Sequence, residues 1–152
     1  MLRDPLLYLS LYLKANRGAY YELLQAVRET GDWERWLDFF LTGVVETSTQ
    51  AAEAARRILA LFDADRRSIE TLGRPAASAL RAHQLLQTKP LITIPQAAQT
   101  LALSRPTVAN SLAHLQQAGI VRETTGRQRG RAFVYDRYLA LLNEGTEPLR
   151  RG

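Results

Sequence analysis

The chain has 152 residues, a formal net charge of +5, no cysteine and 46% hydrophobic residues. That length suits one ordinary domain or two small helical ones. The missing cysteines exclude a disulfide framework and a Cys-based zinc or redox site. Leu6–Leu13 is too short an apolar run to span a bilayer, and no small-residue cleavage site follows it, so a cytoplasmic chain without membrane association is expected.

The charge is uneven. Met1–Arg74 carries 10 basic and 11 acidic residues, net −1, whereas Pro75–Gly152 carries 10 basic and 4 acidic, net +6. A basic module on a near-neutral one points to a polyanionic partner for the second half, the alternative being a solubilising surface.

Residues 1–73 read as helices. Asp4 caps the first and Pro5 opens it, where a missing N–H costs nothing. Leu6, Leu9 and Leu13 mark one face, and Leu7, Tyr8, Leu11 and Tyr12 make this helix apolar nearly all round. Asn16-Arg17-Gly18 ends it. Tyr20, Leu23, Leu24 and Val27 carry a second helix that stops at Thr30-Gly31. Asp32 caps a third, whose apolar row runs through Trp33, Trp36, Leu37, Phe40, Leu41 and Val44 to Ile58 and Phe62, across Gly43. A helix of roughly 30 residues needs a partner along its length. Three helices do not cover so much apolar surface, so more chain or a second copy is expected against them.

Residues 74–143 carry a more specific pattern. An amphipathic helix over 76–87 places Ala76, Ala79, Leu80, His83 and Leu86 on one side, with Leu85 off the stripe. Lys89-Pro90 closes it, and Leu91-Ile92-Thr93 is strand-like. Thr93-x-x-Gln96 is a capping box opening a helix with Ala97, Ala98 and Leu101 inward. Ala102-Leu103-Ser104 makes a tight turn, and Ser104 caps a further helix with Pro106 at its second position and Val108, Leu112 and Leu115 as its core stripe. Ala118-Gly119 ends that helix. Two such helices joined by a three-residue turn form a helix-turn-helix, in which small Ala98 permits a close crossing. Strands over Ile120–Thr125 and Arg131–Tyr135, around a Gly126–Gly130 turn, add a β-hairpin wing. The fold expected is therefore mainly α, a helical bundle followed by a winged helix-turn-helix, with 144–152 as a tail.

At about 100° per residue, the side opposite the core stripe presents Thr107, Asn110, His114 and Gln117. These can exchange hydrogen bonds with base edges in a major groove of double-stranded DNA. Ser104, Arg105 and the helix N-terminus suit phosphate. Arg122, Arg127, Arg129 and Arg131 around the wing suit the backbone or minor groove. The alternative is a solvated helix face and loop, or a winged helix used only for protein docking. His83 and His114 have no further ligands around them, so no metal and no cofactor is expected. The spread-out Glu residues read as solvated faces and the Trp33, Trp36, Phe39 and Phe40 group as core.

Three blocks resemble the C-terminal helices of Fic-family proteins: Pro5-Leu6-Leu7-Tyr8-Leu9-Ser10-Leu11-Tyr12-Leu13; Tyr20-Tyr21 with Leu24-Gln25-Ala26-Val27-Arg28; and Gly31-Asp32-Trp33 through Trp36, Phe39-Phe40-Leu41 and Gly43-Val44. Many bacterial members continue into a winged helix, and the ending Tyr138-Leu139-x-x-Leu142-Asn143-Glu144-Gly145-Thr146-Glu147-Pro148-Leu149 is similar to theirs. Complete members are typically adenylyltransferases that move AMP from ATP to a protein hydroxyl through the motif His-Pro-Phe-x-x-Gly-Asn-Gly-Arg-x-x-Arg. That motif is absent, and in the family it precedes the first block. The inhibitory Ser/Thr-x-x-x-Glu-Gly/Asn motif is not matched either, because Ala54 follows Thr49-x-x-x-Glu53. The resemblance thus implies fold and lineage but no catalytic residue, and a chain that is a C-terminal fragment or a stand-alone transcriptional regulator. The expected function is DNA binding by a catalytically inactive homodimer joined through its N-terminal helices. The alternative is a docking or regulatory appendage of a Fic adenylyltransferase whose active site lies upstream.

Overall fold

The computed structural model describes residues 5–127 and 130–144, with side chains from Leu9 onward. The expected cap Asp4, Arg129 of the expected wing and the tail beyond Glu144 lie outside the described residues. Helices dominate, with a small three-stranded antiparallel sheet. Among the described residues no helix is long and apolar enough to cross a membrane.

The chain divides into two compact units between Arg56 and Arg57. The first is helical: α1 (Pro5–Ala15), α2 (Arg17–Thr30) and the opening turns of α3 (Trp33–Glu70). Asn16 alone separates α1 from α2, its side-chain amide donating to the Tyr12 carbonyl at 3.0 Å. Gly18, expected as part of the break, lies inside the first turn of α2. Gly31 ends α2 with φ +71, and its N–H bonds the Val27 carbonyl at 3.0 Å, the left-handed closure that glycine adopts without steric cost. The apolar row of α3 runs unbroken through Gly43. A Cβ built there would stand 2.5 Å from the Tyr12 ring, so this glycine lets α1 approach α3. Tyr12 and Phe39 then meet at 5.4 Å, and Trp36 stacks on Phe40 at 5.2 Å.

The second unit, Arg57–Leu142, takes in the last turns of α3, which the sequence reading had grouped with residues 1–73. Leu61 and Phe62 of α3 pack on its core and Ile69 is fully buried in it. Then follow α4 (Ala76–Thr88), β1 (Leu91–Thr93), α5 (Ile94–Leu101), α6 (Arg105–Gln117), β2 (Arg122–Glu123), β3 (Ala132–Val134) and α7 (Asp136–Asn143). β3 is the central strand, pairing Ile92 with Phe133 on one side and Arg122 with Val134 on the other. The hairpin strands are shorter than the 120–125 and 131–135 expected, because Ile120 and Val121 turn into the core before pairing begins. The apolar stripe of α4 is wider than expected: Ala82 and Leu85 are buried beside Ala79, His83 and Leu86. Ala79 and Ala82, with no side chain beyond Cβ, bring α4 against α6, and the Ser111 hydroxyl of α6 donates to Ser78 of α4 at 2.9 Å. In α5 the fully enclosed small residue is Ala97, with Ala98 half-buried.

Candidate nucleic-acid interface

The turn between α5 and α6 is built from local bonds. Both halves of the Thr93–Gln96 capping box are formed at the start of α5. At its end Ala102 adopts φ +51, a left-handed conformation that costs a non-glycine residue free energy. There the Leu103 N–H bonds the Ala98 carbonyl at 3.1 Å, and Arg81 of α4 donates to the Leu101 carbonyl. Ser104 then starts α6: its Oγ accepts the Thr107 N–H at 3.2 Å and lies 2.8 Å from the Thr107 hydroxyl. Pro106 has no N–H, and the Val108 N–H is taken by the Ser104 carbonyl.

Val108, Ser111, Leu112 and Leu115 of α6 are buried. The opposite side is centred on Pro106, Asn110, Ala113 and Gln117, all exposed. Of the residues expected to meet bases, Asn110 and Gln117 therefore stand on the open face. His114 is half-buried at its edge. Thr107 is half-buried too, its hydroxyl held by the cap, so it shapes the helix start. Ser104 and Arg105 are exposed at the same end.

The hairpin arginines differ from one another. Arg122 is bound side-on to Asp136 at the start of α7, Nε to Oδ2 at 2.5 Å and Nη2 to Oδ1 at 3.2 Å. Arg131 is half-buried, its guanidinium 5.4 Å from the Phe133 ring centroid. Arg127 is exposed. The Glu123 carboxylate folds into its own turn, accepting from the Thr125 hydroxyl, the Thr125 N–H at 2.8 Å and the Gly126 N–H at 3.0 Å. The hydroxyl bond first, then the backbone donors, hold it below the usual carboxylate range. From Pro75 to Val121 the sequence has no acidic residue. The next two acids, Glu123 and Asp136, are thus met by internal donors, and none lies on α6.

The second unit also holds a buried polar chain that sequence reasoning missed. Asp65 of α3 is 4% exposed and accepts from the Tyr135 hydroxyl at 2.5 Å and from Arg137 of α7 at 2.6 Å. The Tyr135 oxygen also lies 3.3 Å from His83 Nε2, and His83 Nδ1 lies 3.4 Å from the Gln87 amide. Tyr135 gives its one proton to Asp65, so its oxygen accepts from His83 Nε2–H while Nδ1 accepts from Gln87. The imidazole is neutral in this arrangement. Burial pushes its pKa below the ordinary 6.5, against the pull of Asp65. Burial, and then the bond to Asp65, push the Tyr135 hydroxyl far above its ordinary value. The chain ties α3, α4, the end of β3 and α7 together. A legible signal existed: Phe62, Asp65 and Ile69 follow helical spacing, so an acid interrupts an apolar stripe.

Among the described residues no group of three or more His, Asp or Glu is placed to hold a metal ion. No family model matches this chain.

Proposed function

We propose that residues 74–143 form a winged helix-turn-helix that binds double-stranded DNA, and that the chain is a transcriptional regulator of Fic-related lineage that works by binding, not catalysis. The observation carrying this reading is the open side of α6, which offers Asn110 and Gln117 with no acid on the helix, together with Arg105 exposed at its start and Arg127 exposed on the hairpin. DNA repels carboxylates, and here the neighbouring ones are already engaged within the protein. A homodimer through the first unit belongs to the same proposal. On α3, Trp33, Leu41 and Val45 are 58%, 57% and 63% exposed, with Leu37 and Val44 between them. An apolar stripe of this kind calls for a cover, and a two-fold dimer would present two reading helices to two half-sites.

The test is fluorescence anisotropy with duplex fragments from the gene's own upstream region at two salt concentrations. Affinity should fall with salt at a log–log slope of about −0.9 per phosphate contact. One fragment should outcompete the others, and Arg127→Ala should weaken binding to all of them. No binding at low salt would overturn the DNA reading and leave the basic unit as a protein-docking surface. Light scattering that finds a monomer at high concentration would remove the dimer.

A further inference from the structure

We infer that α6 selects A·T base pairs, with Asn110 reading adenine and Ala113 meeting the methyl group of a neighbouring thymine; this rests on the DNA-binding reading above. The inference follows from which side chains the fold leaves open. Pro106, Asn110, Ala113 and Gln117 occupy one side of α6 at helical spacing and are exposed. The side chains that commonly read guanine, Arg and Lys, are absent from that side. Within α6 the only cationic side chain of that kind is Arg105, at the first position beside the helix N-terminus, where a phosphate belongs.

What remains is one carboxamide in the first half of the helix flanked by two apolar side chains. A carboxamide pairs with adenine in two bonds, donating to N7 and accepting from N6. Guanine offers O6 and N7, both acceptors, which leaves the carboxamide oxygen without a donor. Ala113 lies three residues beyond Asn110 on the same side and Pro106 four before it. An apolar surface there gains from a thymine methyl and nothing from a cytosine amino group. Thr107 does not alter this balance, because its hydroxyl is held at 2.8 Å by Ser104. Exposed Arg127 on the hairpin acts in the same direction, since A·T tracts narrow the minor groove and deepen its negative potential.

The experiment is selection from a randomised duplex library by the full chain, followed by anisotropy on the winning duplex and modified copies of it. The selected positions should be A·T. Replacing the read adenine by 7-deazaadenine, which lacks the N7 acceptor, should weaken wild-type binding roughly 5- to 150-fold, the range of a bidentate base contact. It should have little effect on Asn110→Ala. Replacing thymine by deoxyuridine should cost about fourfold, the value of one buried methyl. Asn110 is exposed, so the variant should keep the wild-type melting temperature. Selection of G·C positions, or equal sensitivity of wild type and Asn110→Ala to 7-deazaadenine, overturns the inference while the DNA reading survives. Failure to enrich or bind any duplex at low salt overturns both.

Discussion

Tyr135→Phe isolates the hydroxyl at the centre of the buried polar chain. The ring is fully buried and lies 5.6 Å from His83, 5.7 Å from Tyr138 and 6.0 Å from Phe62, contacts that phenylalanine keeps. What disappears is one bond to a carboxylate that is almost fully enclosed, worth about 1.5–3 kcal/mol. His83 Nε2–H also loses its acceptor, a further 1–3 kcal/mol or so if no water enters. Two effects work the other way. Asp65 keeps Arg137 at 2.6 Å, and a buried hydroxyl no longer has to be desolvated. The net expectation is a loss of about 2–3 kcal/mol. In a unit of this size that lowers the midpoint of thermal unfolding by roughly 10 °C or more. Urea melts followed by circular dichroism measure it, and a double-mutant cycle with Asp65→Asn should show coupling above about 1 kcal/mol between the two sites. A loss under about 0.5 kcal/mol, with additive effects in the cycle, would refute the argument that this chain holds α7 and β3 to α3.

His83 gives the same network a pH signature. Its folded pKa is lowered from 6.5 by burial, so below about pH 6.5 the unfolded chain binds the proton more readily. Stability should therefore fall as pH drops from about 6.5 through the folded pKa, at no more than about 1.4 kcal/mol per pH unit. His83→Gln should lack this component, and equal losses in the two proteins between about pH 7.5 and pH 5 would count against it. Ala102→Gly should raise stability by about 0.5–1 kcal/mol, because the left-handed strain relieved at φ +51 exceeds the entropy glycine adds to the unfolded chain. A lower denaturation midpoint for that variant would contradict the turn geometry.

Much of the second unit was legible from the sequence because its punctuation is local. The Thr93–Gln96 box, the Ser104 cap before Pro106 and Gly119 at φ +68 each define a helix end from two to four adjacent residues. The division at Arg56 was not legible. The apolar period of α3 continues from one unit into the other, and a helix carries no mark of which partner it packs against. Strand lengths were overestimated because alternation cannot say where β3 stops being paired, and here the ladder ends as Ile120 and Val121 enter the core. The polar chain was hidden for a related reason. Asp65, His83 and Tyr135 are far apart in sequence, and each alone is compatible with a solvated side chain. Their burial exists only once α3, α4 and β3 meet.

Arg122 is the clearest case where sequence and structure assign different work, and it yields a test of the proposed interface. Its proximity to the expected wing made it one of the four hairpin arginines expected on DNA, but its guanidinium is taken by Asp136, fourteen residues along. A guanidinium in a bidentate pair with a carboxylate offers a phosphate little net charge. Arg122→Ala should therefore change DNA affinity far less than Arg127→Ala, even though both remove one positive charge. Asp136→Asn is the stronger experiment. It removes a negative charge and releases the guanidinium while the hairpin remains paired through β3. If the freed group then reaches the backbone, affinity should rise and the salt slope should steepen by about 0.9, one phosphate contact. The pair is largely exposed, with side chains 64% and 45% accessible, so solvent screens it and only a small fall in melting temperature should accompany the gain. Affinity that rises with an unchanged salt slope would mean that the carboxylate had acted only by repelling DNA. Affinity that falls would mean that the ion pair is what holds the hairpin in the position the proposed interface needs, and Arg122 would then be a positioning residue.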